Sequence, residues 1–174
     1  MPRPWTLLSL ASLLLLAPAG ARAATLVAKS VEEAARTSDA VVRGTVVSTT
    51  SRWAGSHIVT DVEIAVSSAW KGQPGDRVTV TIPGGVVGDI GQHVDAAPKF
   101  TVGEDVVVFV QRAPNGRINR VNGLAQGKYR VESGLARPDT DGVRLEAREQ
   151  LRAGEKLVQP MTVDELEQRV RSAR

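Results

Sequence analysis

Hydrophobic and polar residues alternate along much of this chain with the two-residue period of a β-strand. In residues 58 to 70 the side chains of Ile58, Thr60, Val62, Ile64 and Val66 would share one face, and polar residues lie between them. Similar patterns over 40–49 and 77–82 predict two more strands. The unbroken apolar run 106–110 predicts a strand covered on both faces. The pattern therefore predicts a mainly β protein.

Glycine and proline mark the breaks between these strands. Gly44 lies inside the first strand and predicts a bulge or tight bend. Turns are predicted over 71–76 and 114–116, and a glycine-rich stretch from Pro83 to residue 98 predicts an irregular strand with a loop. Further strands are expected near 117–121 and 127–132. Residues 144–153 fit either helix or strand, and the pattern leaves both open.

Two capping boxes predict a helix near each end of the mature chain. Ser30 and Glu33 open a short helix over about 31–38, and Thr162 and Glu165 open a C-terminal helix with Val163, Leu166 and Val170 on one face. About six short strands between two helices predict a small closed or partly open β-barrel, with a β-sandwich as the alternative. Too few crossover helices are present for a doubly wound α/β fold.

The first 23 residues have the layout of a secretory signal peptide. Arg3 precedes an apolar run of about 11 residues, too short for the roughly 20 that a spanning helix needs, and Ala21-Arg22-Ala23 is a cleavage site of the small-x-small type. The alternative is a membrane anchor. We expect cleavage after Ala23, a periplasmic or secreted protein and no membrane span in the mature chain. The predicted organisation is a signal peptide over 1–23, an OB-like barrel over 24–136 and a charged extension with a terminal helix over 137–174.

Composition narrows the possible functions once this leader is removed. The 174 residues contain no cysteine, which excludes disulfides, a thiol nucleophile and a cysteine-ligated metal. The pI near 9.7 favours an anionic partner, but two of the 22 basic residues belong to the leader, so 20 remain against 19 acidic ones. A charge so near zero gives no general attraction to nucleic acid.

The order of short motifs resembles the netrin-like OB-fold domain. The motifs are the segment from Ser38 to Val47, the strand ending Ala69-Trp70-Lys71-Gly72, and the segment from Gly103 to Phe109. This domain includes the inhibitory domain of tissue inhibitors of metalloproteinases, and a group of exported bacterial domains shares the segments 83–85 and 123–128. The resemblance covers about residues 30–132 and implies a small barrel. In the inhibitors a disulfide-bonded N-terminal cysteine presents its amine and carbonyl to the zinc of the target, and Ala24 is the one residue here that could take that role.

Catalytic patterns are weak in this sequence. His57, Asp61 and Glu63 share one strand face, which is typical of a solvated polar surface, and a zinc site would also need His93. Ser56 and His57 are adjacent on the chain and would face opposite sides of a strand. Residues 123–128 miss the spacing of a phosphate loop and are typical of a glycine turn before a strand. We therefore expect no enzyme activity, cofactor or metal.

A binding role remains, and Trp53 is its main candidate. It lies in a polar segment, residues 50–56, which is predicted to be the tip of a hairpin, where it would either contact a partner or fold over the mouth of the barrel. The candidate binding residues are Ala24, Arg52, Trp53, His57 and Asp61. We expect an exported, non-catalytic binding module whose partner is another envelope or secreted protein, with a metalloprotease inhibitor acting through Ala24 as the alternative. The mixed charges of the C-terminal region fit a solvated face or a docking helix.

Overall fold

A computed structural model describes residues 24–113, 116, 119–146 and 157–173. Within them it contains two α-helices and twelve strands, more strands than the pattern predicts. The helices are α1 (Val31–Thr37) and α2 (Val163–Ser172). The strands are β1 (Ala24–Val27), β2 (Ala40–Ala54), β3 (His57–Lys71), β4 (Arg77–Pro83), β5 (Gly85–Val87), β6 (Ile90–Gln92), β7 (Asp105–Arg112), β8 (Asn119–Val121), β9 (Lys128–Glu132), β10 (Leu135–Pro138), β11 (Val143–Glu146) and β12 (Met161–Thr162).

Eight of these strands form one sheet in the order β12-β10-β9-β7-β2-β3-β4, with β8 also paired to β7. The mainly β prediction is confirmed. Backbone pairing does not close the sheet, because β4 has a strand partner on one side only among the described residues. Its other edge approaches β8, where the Asn119 side-chain amide donates to the Thr79 carbonyl at 3.1 Å.

The sheet has a core on each face, and β7 contributes to both. Val107 and Phe109 face α1 and α2, on what we call the helix face. Val106, Val108 and Val110 point the opposite way, into a valine-rich cluster on the inner face. The predicted coverage of this strand on both sides is therefore confirmed. Trp70 is buried, as expected from the sequence, but it lies in the core of the helix face, whereas Val62 and Ile64 of the same strand lie in the inner cluster. The irregular pairing of β3 with β2 between these residues shifts the alternation.

The ends of both helices are stabilised as the sequence predicts. The Ser30 hydroxyl accepts a hydrogen bond from Glu33 N at 3.0 Å, and the Thr162 hydroxyl accepts one from Glu165 N at 3.1 Å. These bonds satisfy N–H groups that have no partner within the helix. At the C-terminal end of α1 the Lys71 ammonium donates to Ala35 O at 2.8 Å.

The irregularity predicted at Gly44 is confirmed, but the extra residue belongs to β3: Arg43 stands opposite Ser68 and Gly44 opposite Val66, which leaves Ser67 without an opposed residue. The register between β2 and β3 shifts between Arg43 and Gly44, and a side chain at Gly44 would collide with the carbonyl of Ala65. A glycine permits this close approach of two backbones.

Two predicted loops contain regular structure. The polar segment 50–56 is mostly strand, because β2 continues to Ala54 and only residues 55 and 56 form the turn. Thr50 suits a strand, and residues 50–54 pair with β3. The glycine-rich stretch after Pro83 contains the hairpin β5–β6. Of the ambiguous stretch 144–153, residues up to 146 are strand; 147–153 lie outside the described residues, as do the leader and two residues of the 114–116 turn.

Candidate interaction surface

The β2–β3 hairpin extends beyond strand β7. Strand β2 pairs with β7 only from Ala40 to Thr45, but it pairs with β3 as far as Ala54. Strand β4 extends along the other side of β3 to Pro83. Residues 47–63 of the hairpin thus form a projecting arm, which we call the distal arm.

Trp53 lies near the end of the distal arm and is 46% exposed. It stands directly opposite Ile58 in the register, and Ile58 is almost fully buried. Directly opposed residues of antiparallel strands project from the same face, so Trp53 belongs to the inner face and remains about half accessible. Its exposure fits a side chain that contacts a partner, and its location on the inner face fits a side chain folded over the mouth of the predicted barrel.

The short hairpin β5–β6 lies across the inner face of the distal arm. A side chain at Gly85 would collide with the hydroxyls of Ser51 and Thr60, and Val86 N donates to Ser51 Oγ at 3.3 Å. The Gln92 side-chain oxygen accepts from Ile58 N at 2.8 Å. The main chain at residue 85 can approach this closely because it carries no side chain.

This hairpin adds two more exposed apolar side chains beside the distal arm. Val86 is 65% exposed and Ile90 is 55% exposed. Val86 stands opposite Gly91 and Ile90 opposite Val87, so the two side chains project from opposite faces of the hairpin. We call Trp53 and Val86 the distal surface. A pocket of about 270 Å³ lies next to Gly85 and Gln92, and its lining includes Val62 and Phe100.

Arg52 and Asp61 form an ion pair on the opposite face of the distal arm. The Arg52 Nε to Asp61 Oδ2 distance is 2.6 Å, and the Thr81 hydroxyl donates to Asp61 Oδ1 at 2.6 Å. Burial by itself would raise the pKa of Asp61, but the hydrogen bonds from Arg52 and Thr81 outweigh it and leave that pKa lowered. The carboxylate is held ionised by its neighbours, as suits a structural cross-strand pair.

The two histidines lie at exposed positions. His57 begins β3, and His93 follows β6 with its Nε2 at 3.2 Å from Asp95 Oδ1. The hydrogen bond between Ile58 and Gln92 brings the two chain segments together. In the described part of the chain, no three histidine, aspartate or glutamate side chains are grouped as a metal site would require.

Ala24, the residue that the resemblance to protease inhibitors singles out, lies in β1. This strand pairs in parallel with β11, Ala24 standing opposite Val143. The side chain of Gln126 bridges the same segment, donating to Val27 O at 3.1 Å and accepting from Lys29 N at 2.9 Å. Strand pairing with β11 therefore holds Ala24, and Gln126 holds the chain three and five residues further on.

The segment that resembles a phosphate loop has a structural role. Residues Leu124–Gly127 form a 3₁₀ turn that leads into β9. Lys128 is fully buried, with its ammonium 2.7 Å from Glu104 Oε1 and 5.1 Å from the centre of the Phe100 ring. The buried lysine is inaccessible to a phosphate. The sequence gives no sign of this network, because a lysine after a glycine turn is ordinarily expected in solvent.

Asn122 is a second polar residue whose burial the sequence does not predict. Its side-chain amide donates to Ala34 O at 3.1 Å and to Ser38 Oγ at 2.9 Å, and its oxygen accepts from Lys29 Nζ at 2.9 Å. It therefore joins the end of α1 to the turn before β9. The asparagine lies next to Gly123, which has the left-handed backbone conformation typical of turns, and only this turn position signals it in the sequence.

Comparison with known proteins leaves the resemblance without independent support. No protein-family model matches the chain, and no curated protein is significantly similar to it in sequence. None of the helices in the described ranges has the length and apolarity required to cross a membrane.

Proposed function

We propose that this chain is an exported, non-catalytic binding module of the cell envelope or the extracellular space, which contacts another envelope or secreted protein. The observation that carries this proposal is the distal surface, where Trp53 is left 46% exposed near the end of the distal arm. Val86, whose N–H donates to Ser51, two residues before Trp53 along β2, adds a second exposed apolar side chain. Large exposed apolar side chains that lie close together mark interaction sites. Tryptophan is enriched among the residues that dominate binding energy.

The polar side chains of the distal arm support binding rather than catalysis. The Asp61 carboxylate already accepts hydrogen bonds from Arg52 and Thr81, so it is not poised to exchange a proton near neutral pH. Export rests on the leader sequence of residues 1–23, which lies outside the described residues.

We also propose that the fold is an OB-like barrel of the netrin type. Support comes from the order β4-β3-β2-β7, from the pairing of β8 with the far edge of β7, and from the approach of β8 to β4 through Asn119 and Thr79. The short helix α1 just before β2 also matches the motif order of that domain.

Affinity capture with the mature protein tests the binding proposal. The wild-type chain from Ala24 onward is immobilised, and envelope proteins captured from the source organism are compared with those captured by Trp53→Ser and by Val27→Ser. Val27 is the matched control, because it is an exposed apolar residue on β1. Loss of a central aromatic side chain costs about 2 kcal/mol or more, so Trp53→Ser should weaken binding about 30-fold. Equal capture by all three proteins would contradict the proposal.

A second candidate function is protease inhibition through the mature amino terminus. The observation that favours it is the pairing of Ala24 with Val143 of β11, within a strand that Gln126 also contacts at Val27, because the inhibitor mechanism would require a first mature residue held in place. The mature protein is tested at micromolar concentration against a panel of zinc proteases, beside a control whose α-amine is acetylated. Inhibition that disappears on acetylation would support this function, and no inhibition would exclude it.

A further inference from the structure

One edge of β2 is without a strand partner along the distal arm. Pairing with β7 ends at Thr45, and the next contacts on that side are Gly103 N to Val46 O at 2.8 Å and Val46 N to Glu104 O at 3.0 Å. From Ser48 to Ala54, β2 pairs with β3 on one side, and none of residues 24–113, 116, 119–146 and 157–173 forms a strand on the other.

The register identifies the backbone groups that face this edge. Ile58 O accepts from Gly84 N and Val66 N donates to Asp76 O, so even-numbered residues of β3 face β4 and odd-numbered ones face β2. Asp61 is opposite Thr50, and Val59 is opposite Arg52. Thr50 and Arg52 therefore bond to β3. The N–H and C=O groups of the residues between and beside them point away from the sheet; these residues are Thr49, Ser51 and Trp53.

We propose that two copies of this chain associate by antiparallel pairing of these edges, about a two-fold axis at Ser51. In that register Ser51 meets Ser51 of the partner subunit, and Thr49 meets Trp53 of the partner subunit. Each directly opposed, bonded pair exchanges two hydrogen bonds, so three pairs form about six across the interface. A register centred on Thr50 would form fewer, because it places Trp53 opposite residue 47, where β2 is irregular.

The side chains of the edge are compatible with this self-pairing. On the inner face Trp53 packs beside Thr49 of the partner subunit, an aromatic and β-branched pair of the stabilising kind. On the other face Thr50 stands opposite Arg52 of the partner subunit, so no two like charges are directly opposed. Each Arg52 is already neutralised by Asp61 of its own chain.

The edge has few of the features that usually prevent such pairing. Residues 47–54 contain no proline and no lysine, and their one charged residue, Arg52, is paired with Asp61 of its own chain. The irregularity between Val46 and Ser48 lies at one end of the edge and outside the three proposed pairs. A second copy is therefore the occupant that the register and the charges favour. Because the two-fold axis is perpendicular to the sheet, both distal surfaces would lie on the same face of one continuous sheet. The pairing does not depend on the identity of the protein bound there.

Sedimentation velocity of the mature chain over a range of concentrations tests this dimer. One strand pair is a small interface, and we expect a dissociation constant of roughly 10 to 1,000 µM. The Thr49 N–H faces the open edge, so Thr49→Pro removes interface hydrogen bonds without breaking one to β3. We expect Thr49→Pro to weaken association at least about tenfold and the matched control Thr49→Val to dimerise like the wild type.

Amide hydrogen exchange of the wild type provides a readout that does not depend on a variant folding. At high concentration the amides of Thr49, Ser51 and Trp53 should be protected, and on dilution they should exchange freely while those of Thr50 and Arg52 stay protected. A wild-type protein that remains monomeric at millimolar concentration would overturn the proposal. Dimers that leave these three amides unprotected, or that are unchanged by a folded Thr49→Pro variant, would overturn it as well.

Discussion

Replacing Glu104 by glutamine should destabilise the protein more than replacing its partner Lys128 by methionine. The Lys128 side chain is 0% exposed and that of Glu104 is 7% exposed. Their 2.7 Å contact is the closest one that the lysine makes to a carboxylate, since Asp139 Oδ2 lies at 3.9 Å. Glu104 has a second partner in Arg130, whose Nε is 2.7 Å from the same oxygen, and a third in Thr101 N.

The partners that remain after each substitution determine how much unfolding free energy it should cost. Breaking a buried ion pair costs about 3–5 kcal/mol because one charge remains buried without compensation. Glu104→Gln leaves the Lys128 ammonium with a neutral amide and a distant carboxylate, so it should cost about 3–5 kcal/mol. Lys128→Met removes the buried cation and leaves Glu104 with two donors, so the loss should be nearer about 1–3 kcal/mol.

Urea denaturation at pH 7 and 25 °C measures both losses. Glu63→Gln is the control, because its ion pair with Arg77 is largely exposed and is expected to contribute no more than about 1 kcal/mol. The double variant Glu104→Gln with Lys128→Met should be more stable than Glu104→Gln alone, since it no longer buries an uncompensated charge. Equal losses in the two single variants, or a larger loss for Lys128→Met, would refute this account of the network.

Three further predictions test other parts of the structure. Burial by itself would raise the pKa of Glu104, but Lys128 and Arg130 outweigh it and hold that pKa below its ordinary value of 4.5; the stability it contributes is therefore present above that value and lost as the pH falls through the lowered pKa. Urea titrations at several acidic pH values should show a weaker acid dependence in Glu104→Gln, and an unchanged dependence would contradict this. Asn122→Ala should lower the free energy of unfolding by about 1–3 kcal/mol, because it leaves the buried end of α1 with fewer partners, and a thermal melt identical to that of the wild type would count against this role. Acrylamide should quench Trp53, which is 46% exposed, and leave Trp70, which is 3% exposed, largely unaffected; Trp53→Phe should retain only the protected emission, and a wild-type emission that is protected throughout would exclude Trp53 as a contact residue.

Strand and helix positions could be predicted from local patterns because the physics that sets them is local. Alternation marks β3 and β4, and the capping residues Ser30 and Thr162 mark the starts of both helices. The main differences between the predicted and the observed strands lie in polar segments. The polar end of β2 is strand because it pairs with β3, and alternation of apolar and polar residues is absent from a stretch in which both faces are largely exposed.

Local patterns predict only some of the residues of the candidate surface. Trp53 stood out as an aromatic residue in a polar segment, and Arg52 and Asp61 as polar neighbours of it. Val86 and Ile90 fall in the glycine-rich stretch for which the sequence predicts an irregular strand with a loop, because nothing in that stretch shows that it folds into a hairpin across the distal arm. The partner of each side chain depends on contacts between strands, which local patterns do not report.

The sequence by itself determined the mainly β character, the caps, the irregularity at Gly44 and the strand buried on both faces, because each depends on residues within a few positions. Only the tertiary structure decided that Lys128 is buried against Glu104, 24 positions away, and that Asn122 supports α1 across 88 positions. It also decided that β7 ends at the middle of β2 and leaves an open edge beyond. Burial, ion pairing and open edges are properties of segments brought together by folding, and they follow from which strands meet and where each one stops.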